Sequence, residues 1–213
     1  LDQAIDLESP AGSGGPCERP DLVLRLAALM HDVGKPATRR FEEGGVVTFR
    51  FHETVGAKMT AKRMKALTFD KDTTKKVARL VELHLRFHGY VDSPWTDSAV
   101  RRYVTDAGDL LQHLHRLTRA DVTTRNRRKA RTLARAYDEL EARIDHLAEQ
   151  EEIGRIRPDL DGNRIMQILD LPPGREVGEA YKHLLELRME HGPLGEERAE
   201  QELLAWWAAR TER

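Results

Sequence analysis

Apolar positions along this chain recur mainly at offsets of three and four, the period of an amphipathic helix. The first strong run, Leu22-Val23-Leu24-Arg25-Leu26-Ala27-Ala28-Leu29-Met30, predicts a helix over 21–32, with Asp21 after Pro20 as its N-cap. That run ends on His31 and Asp32 side by side, and Gly34 and Lys35 then release the chain. Upstream, Leu1 to Glu8 reads as the end of a helix, and Ser9 to Pro20 as a loop rich in Pro, Gly and Ser. Between Arg39 and Phe51 the helical period is lost. Phe41 to Phe49 places β-branched and aromatic residues around Gly44-Gly45, which predicts a short hairpin. A helix then opens at His52-Glu53 and carries Val55, Met59, Met64 and Leu67, with Lys58, Lys62, Arg63 and Lys65 on much of its remaining surface.

The next predicted helix, Asp72 to His88, sets Val77, Leu80, Val81, His84 and His88 at offsets of three and four. After a loop over 91–94 come a short helix, Asp97 to Val104, and another from Asp109 to Asn126 whose stripe is Leu110, Leu114 and Leu117. A long helix follows with Leu133, Tyr137, Leu140, Ile144 and Leu147 spaced as a seam, which we read as core packing against another helix. From Pro158 a small helical tail is expected: Arg164–Leu171, a Pro-Pro-Gly corner, Glu176–His191 and Glu196–Arg210, closed by Leu184, Leu185, Leu187, Leu203, Leu204, Trp206 and Trp207. Asp159-Leu160-Asp161 reads as a helix-start cap. The expected fold is therefore mainly α with one short β-hairpin, organised as a helical domain over 1–126, a long connecting helix over 127–157 and a helical tail over 158–213.

Charge changes this picture more than composition does. The chain has 213 residues and a net charge of −1, but residues 37–135 hold 22 Lys and Arg against 11 Asp and Glu, while residues 136–213 hold 10 against 19. The central block is thus a candidate surface for polyanions, RNA first among them. Arg125, Arg127, Arg128 and Lys129 crowd the start of the long helix, and Arg39 and Arg40 precede the hairpin; such clusters bind phosphate backbones and read bases poorly. No apolar run approaches the roughly 20 residues needed to span a bilayer. Leu1 to Asp6 has neither the basic nor the apolar region of a signal peptide. The single Cys17 excludes an internal disulfide framework and fits a reducing, cytoplasmic setting.

Several side chains are candidates for metal chemistry. Imidazole and carboxylate together, as in His31 and Asp32, suit Zn, Fe, Ni or Mn, although a histidine at the end of an apolar helix can equally be a satisfied core residue. His84 and His88, four apart on an apolar face, form a sound ligand pair, or simply mark the helix end. Asp121 continues the stripe of Leu114 and Leu117; a carboxylate there is costly unless paired, for example with Arg119 or Arg125, or bound to a cation.

The string His31-Asp32-Val33-Gly34-Lys35-Pro36 resembles the signature of the HD superfamily of metal-dependent phosphohydrolases. With Thr38-Arg39-Arg40-Phe41 and Phe51-His52-Glu53-Thr54-Val55-Gly56-Ala57, it resembles the bacterial CCA-adding tRNA nucleotidyltransferase and poly(A) polymerase family, in its actinobacterial form with an HD segment in the C-terminal half. The resemblance runs from about Leu22 to the tail. It implies an HD-type helical bundle in which His31, Asp32 and Asp121 are metal ligands, His52 and His84 support a second metal, and Lys35 approaches the substrate phosphate beside a catalytic Asp32. It implies a divalent metal (Mg, Mn, Ni, Zn or Fe) and metal-assisted hydrolysis of a phosphoester, with 2′,3′-cyclic phosphates, phosphomonoesters or nucleotides as substrates. The family also takes a ligand from a histidine upstream of the pair. None precedes His31, and the expectation is a chain that opens about a turn downstream of it, with weakened metal binding.

The same resemblance implies a parent enzyme that adds CCA or adenylate to RNA using ATP, CTP and Mg, its catalytic head lying before residue 1. The expected function is that of an HD-bearing fragment that binds tRNA or other RNA and holds a metal site suited to phosphoester hydrolysis. The alternatives are an RNA-binding structural module without activity, or a standalone HD-type nucleotide phosphohydrolase, against which the tail from Pro158 argues.

Overall fold

A computed structural model of the chain describes residues 21–87, 89–90, 95–121, 126–151 and 156–211. The expected opening helix and loop over 1–20, His88, the loop over 91–94 and Arg125 lie outside the described residues. The rest is helical apart from one hairpin: α1 (Leu22–Met30), α2 (Lys35–Thr38), β1 (Arg40–Phe41), β2 (Val47–Thr48), α3 (His52–Ala66), α4 (Lys71–Leu83), α5 (Asp97–Ala107), α6 (Leu111–Ala120), α7 (Arg127–Glu151), α8 (Gly162–Leu169), α9 (Arg175–His191) and α10 (Glu196–Thr211). The strands are antiparallel, with Arg40 opposite Thr48 and Phe41 opposite Val47. Gly44 and Gly45 turn the hairpin at positive φ, a conformation that favours glycine. The mainly helical architecture with one hairpin is the one the sequence predicts.

Two compact units emerge: residues 1–94 with 107–140, and residues 95–106 with 141–213. Helix α7 supplies its first half to one unit and its second half to the other.

In the first unit, α4 packs against α1, α3 and α6. The core is built from the stripes that periodicity picks out: Leu24 and Ala27 of α1, Met64 of α3, Val77, Leu80 and Val81 of α4, Leu114 and Leu117 of α6, and Tyr137 and Leu140 of α7 are all buried. Asp21 caps α1 as expected, its carboxylate accepting from the Leu24 amide at 3.0 Å. The run of α1 is more apolar than its burial requires, since Leu22 and Leu29 are exposed.

Helix α4 ends earlier than the sequence suggests. It stops at Leu83 with His84 as its C-cap, and the Arg86 amide bonds back to the Leu83 carbonyl at 2.9 Å. This tighter turn delivers Phe87 to the core, where its ring stacks on Tyr137 at 3.6 Å between centroids. Helix α6 likewise ends at Ala120, with Asp121 as its C-cap and a single 3₁₀ turn over Gly108–Leu110 before it.

In the second unit, the core joins Leu160, Ile165, Val177, Ala180, Leu184, Ala199 and Leu203, with Leu187 and Trp206 partly buried against it. Leu204, expected inside, is exposed, because it lies about 100° round the helix from Leu203. Asp161 caps α8 by accepting from the Arg164 amide at 2.8 Å, whereas Asp159 accepts from the Leu194 and Gly195 amides ahead of α10. The buried Arg101 joins α5 to α7 through Glu151 at 2.7 Å and bonds the Met189 carbonyl at 3.0 Å.

A tight backbone approach in the first unit sets glycine on glycine. A Cβ on Gly34 would lie 2.2 Å from the His52 carbonyl oxygen and 2.8 Å from the Gly56 nitrogen; on Gly56 it would lie 3.3 Å from the Gly34 nitrogen and from Val81. We expect Gly34→Ala to cost on the order of 3 kcal/mol, since overlap with fixed backbone can be relieved only by separating the elements. That corresponds to a melting temperature lower by about 6–12 °C. Gly56→Ala, which also gains helix propensity, should cost clearly less; thermal unfolding of the two variants checks the order.

Candidate metal centre

Five side chains from four segments converge on one gap: His31 at the end of α1, Asp32 one residue on, His52 at the start of α3, His84 at the end of α4 and Asp121 at the end of α6. Every one of them stands at a helix terminus, where a side chain can leave its helix face and turn inward.

The three imidazoles are held alike. Nδ1 of His31 donates to the Ala28 carbonyl at 2.8 Å, Nδ1 of His52 to the Phe49 carbonyl at 2.8 Å, and Nδ1 of His84 to the Val81 carbonyl at 2.6 Å. A ring that donates through Nδ1 presents Nε2 as a lone pair when neutral, so backbone carbonyls fix both orientation and tautomer. All three Nε2 atoms face the gap. The His31 and His52 rings stand edge-on to His84, with centroids 5.3 and 5.2 Å away.

The carboxylates complete the set. His31 Nε2 lies 3.2 Å from Asp121 Oδ1 and 3.4 Å from Asp32 Oδ2, and His52 Nε2 lies 3.3 Å from Asp32 Oδ1. One donor atom each from Asp32, His52 and His84 fall within 4.8 Å of one another. The Nε2 atoms of His52 and His84 are buried without a hydrogen-bond partner. Buried polar atoms are ordinarily bonded, and two inward lone pairs beside two carboxylates form the donor set a divalent transition metal takes. The residues fit a metal.

Electrostatics agree with the geometry. The hydrogen bond that the protonated imidazole donates to Asp121 pushes His31 above its ordinary 6.5 despite burial. Burial holds His84 below 6.5, helped by the facing His31 and His52 rings. Burial works to raise Asp121, but the His31 bond and charge win and its carboxyl lies below the ordinary range. Lys35 Nζ sits 2.6 Å from Asp32 Oδ2, at the partly exposed side of the gap.

The structure thus brings His31, Asp32, Lys35, His52, His84 and Asp121 together. Asp121 turns toward His31, and Arg119 pairs with Asp138 at 2.8 Å. Arg39 and Arg40 are exposed at the hairpin base, and Arg127, Arg128 and Lys129 are exposed in the first turn of α7. Sequence reasoning missed the three carbonyls and the Gly34–Gly56 contact. Patterning carries no signal for a carbonyl acceptor three residues back, and the glycines show only as motif letters.

Comparison with known proteins gives the family. The model of the HD domain matches residues 4–126, more than half of the chain. The chain belongs to the HD domain family. Beyond the HD domain, it is similar to a CC-adding tRNA nucleotidyltransferase of Thermus thermophilus, 38% identical over 189 residues, 87% of this chain and 40% of that protein. It is also similar to an A-adding tRNA nucleotidyltransferase of Deinococcus radiodurans, 34% identical over 195 residues, 90% of this chain and 43% of that protein. The chain therefore spans about two fifths of the length of the relatives it matches.

The opposite pKa shifts of two HD-domain histidines have opposite consequences for folding. His31, raised, contributes stability that is present below 6.5 and lost as pH rises through its folded value. His84, lowered, contributes stability that is present above 6.5 and lost as pH falls below it. In metal-free protein, NMR titration of the imidazole protons should place the His31 midpoint above 6.5 and that of His84 below it; a shared midpoint would contradict the arrangement.

Proposed function

We propose that this chain is an HD-bearing portion of a tRNA nucleotidyltransferase, that it binds RNA, and that its HD site holds a divalent cation for phosphoester hydrolysis. The gathering of Asp32, His52 and His84 donor atoms, with His31 between Asp32 and Asp121, carries the metal reading. The tRNA nucleotidyltransferase relatives and the basic block over 37–135 support the RNA reading.

His31, Asp32, His52, His84 and Asp121 would hold the cation, Asp32 facing two of the histidines. A bound divalent cation would lower the pKa of its water and polarise a phosphoryl oxygen. Lys35 fixes the Asp32 carboxylate and offers its ammonium to an incoming phosphate. The substrate classes that suit these groups are 2′,3′-cyclic phosphates, phosphomonoesters and nucleotides. Nucleotide addition with ATP, CTP and Mg is an activity we propose for the full-length protein; Asp159 and Asp161, bonded to loop and helix amides, do not serve it. No helix among the described residues is long and apolar enough to cross a membrane, and we propose a cytoplasmic setting in keeping with tRNA as partner.

Calorimetric titration of the chelator-treated chain with Mn²⁺ or Ni²⁺ should show stoichiometric binding, and bis(p-nitrophenyl) phosphate should be hydrolysed in the loaded state. Asp32→Ala should weaken metal binding by more than the roughly 10–100-fold typical of losing an outer partner. A chain that binds neither metal is an RNA-binding structural module instead.

Arg127, Arg128 and Lys129 stand exposed where α7 begins, the Arg128 and Lys129 amides capped by Asn126 at 3.0 and 3.2 Å. Replacing the three with alanine should weaken tRNA binding and flatten the slope of log affinity against log salt by about 2–3, at roughly 0.7–0.9 for each phosphate no longer neutralised. Unchanged slope would remove this cluster from the RNA surface.

A further inference from the structure

The segment between the Lys35 helix and His52 exposes more aromatic surface than its fold requires. Phe41 is 72% exposed and Phe51 71%, with Val46 and Val47 also open to solvent. Phe41 and Val47 are directly opposed in the two strands and so share one face. The Arg39 guanidinium lies over the Phe41 ring, 5.4 Å from its centroid. Phe51 holds a left-handed conformation at φ 62° immediately before His52, an uncommon choice for a bulky residue and a feature that collects at functional sites. The acidic residues of the segment, Glu42 and Glu43, sit toward its tip, where Glu42 takes the Thr48 hydroxyl and Arg50. Its base, next to the metal centre, carries Arg39 and Arg40, and Lys35 Nζ lies 6.0 Å from the Phe49 ring.

Exposed ring faces interleaved with arginine suit unpaired nucleotides, whose bases stack while their phosphates meet the cations. A duplex offers base faces only at its two ends. We propose that the Arg39–Phe51 hairpin is a stacking platform that takes the unpaired end of an RNA strand, through Phe41 and Phe51, and brings its phosphate to Lys35 and the HD centre. The proposal rests on the RNA and phosphoester reading above for its destination, but its binding surface is separate from the metal ligands.

The test measures affinity of the chain for a short unstructured oligoribonucleotide bearing a terminal 2-aminopurine and for a blunt RNA duplex. Phe41→Ala and the double variant Phe41→Ala/Phe51→Asn, in which asparagine accepts the left-handed backbone, should weaken single-strand binding by at least about tenfold each, as removal of a base stack does. Duplex binding should stay within about twofold, and quenching of the 2-aminopurine should be lost. Phe41→Leu keeps apolar bulk but no ring face, so it should behave as Phe41→Ala. Undiminished single-strand affinity in the variants, equal losses for duplex, or full recovery in Phe41→Leu would each overturn the platform. Mn²⁺ titration of the same variants separates the two ideas: a chain that binds no metal yet loses single-strand affinity on ring removal keeps the platform and discards the metal reading, and normal metal binding with silent ring variants does the reverse.

Discussion

Gly34 resting on the first turns of α3 is the contact on which the site depends. No side chain separates the two backbones there, and a Cβ on Gly34 would fall within 2.2 Å of the His52 carbonyl oxygen. The consequence is positional. Asp32 lies two residues before Gly34, and His52 is the residue whose carbonyl Gly34 meets, so backbone contact fixes the distance between the two donors more firmly than side-chain packing could. Gly56, one turn further along α3, lets the same helix approach Val81 on α4, and Val81 supplies the carbonyl that holds His84. Close approach thus runs from the turn between α1 and α2 through α3 to α4, and so to three of the five donors.

Around that frame the charges of the centre are balanced without a cation, and only in part. His31 shares its Nε2 between Asp121 and Asp32, and Lys35 meets the same Oδ2 of Asp32 that His31 faces, while Oδ1 faces His52. These contacts offset the cost of two carboxylates in a partly buried place. His52 Nε2 lies near Asp32 Oδ1 without a hydrogen bond, and His84 Nε2 is likewise buried without one. A site evolved only to cement a core would leave fewer imidazole lone pairs facing one another, because each costs about as much as a broken hydrogen bond. The same lone pairs are an asset once a cation lies among them.

How far the sequence alone reaches depends on what kind of interaction holds each part. Helix stripes were legible because burial follows periodicity: Leu114, Leu117, Leu140 and Leu203 are where offsets of three and four put them. The hairpin was legible from Gly44-Gly45 between β-formers. Asp121 was visible as a carboxylate on an apolar stripe, although the stripe could not say whether His31 or Arg119 would meet it. The end of α4 was not legible, since His84 fits the stripe whether the helix stops or continues, and the stacking of Phe87 on Tyr137 that decides it joins residues fifty apart. Leu204 was misplaced because the adjacent pair Leu203-Leu204 does not say which of its two positions meets the core, and Leu203 takes it. The carbonyls that orient the imidazoles were beyond reach, being backbone groups common to every residue.

The hairpin has to be explained on different terms from the helices. Two residues per strand and one antiparallel pairing give a ribbon too small to be stable alone, and its exposed rings add nothing to a core. Its shape is held from its ends, by α2 packing on α3 and by the Phe49 carbonyl bonded to the His52 ring. That last bond also makes the ribbon part of the centre, because displacement of Phe49 would release the His52 tautomer. A segment that adds little burial, holds Phe51 in the left-handed region and yet orients a candidate ligand carries, in its ring faces and arginines, the chemistry that suits the proposed unpaired strand.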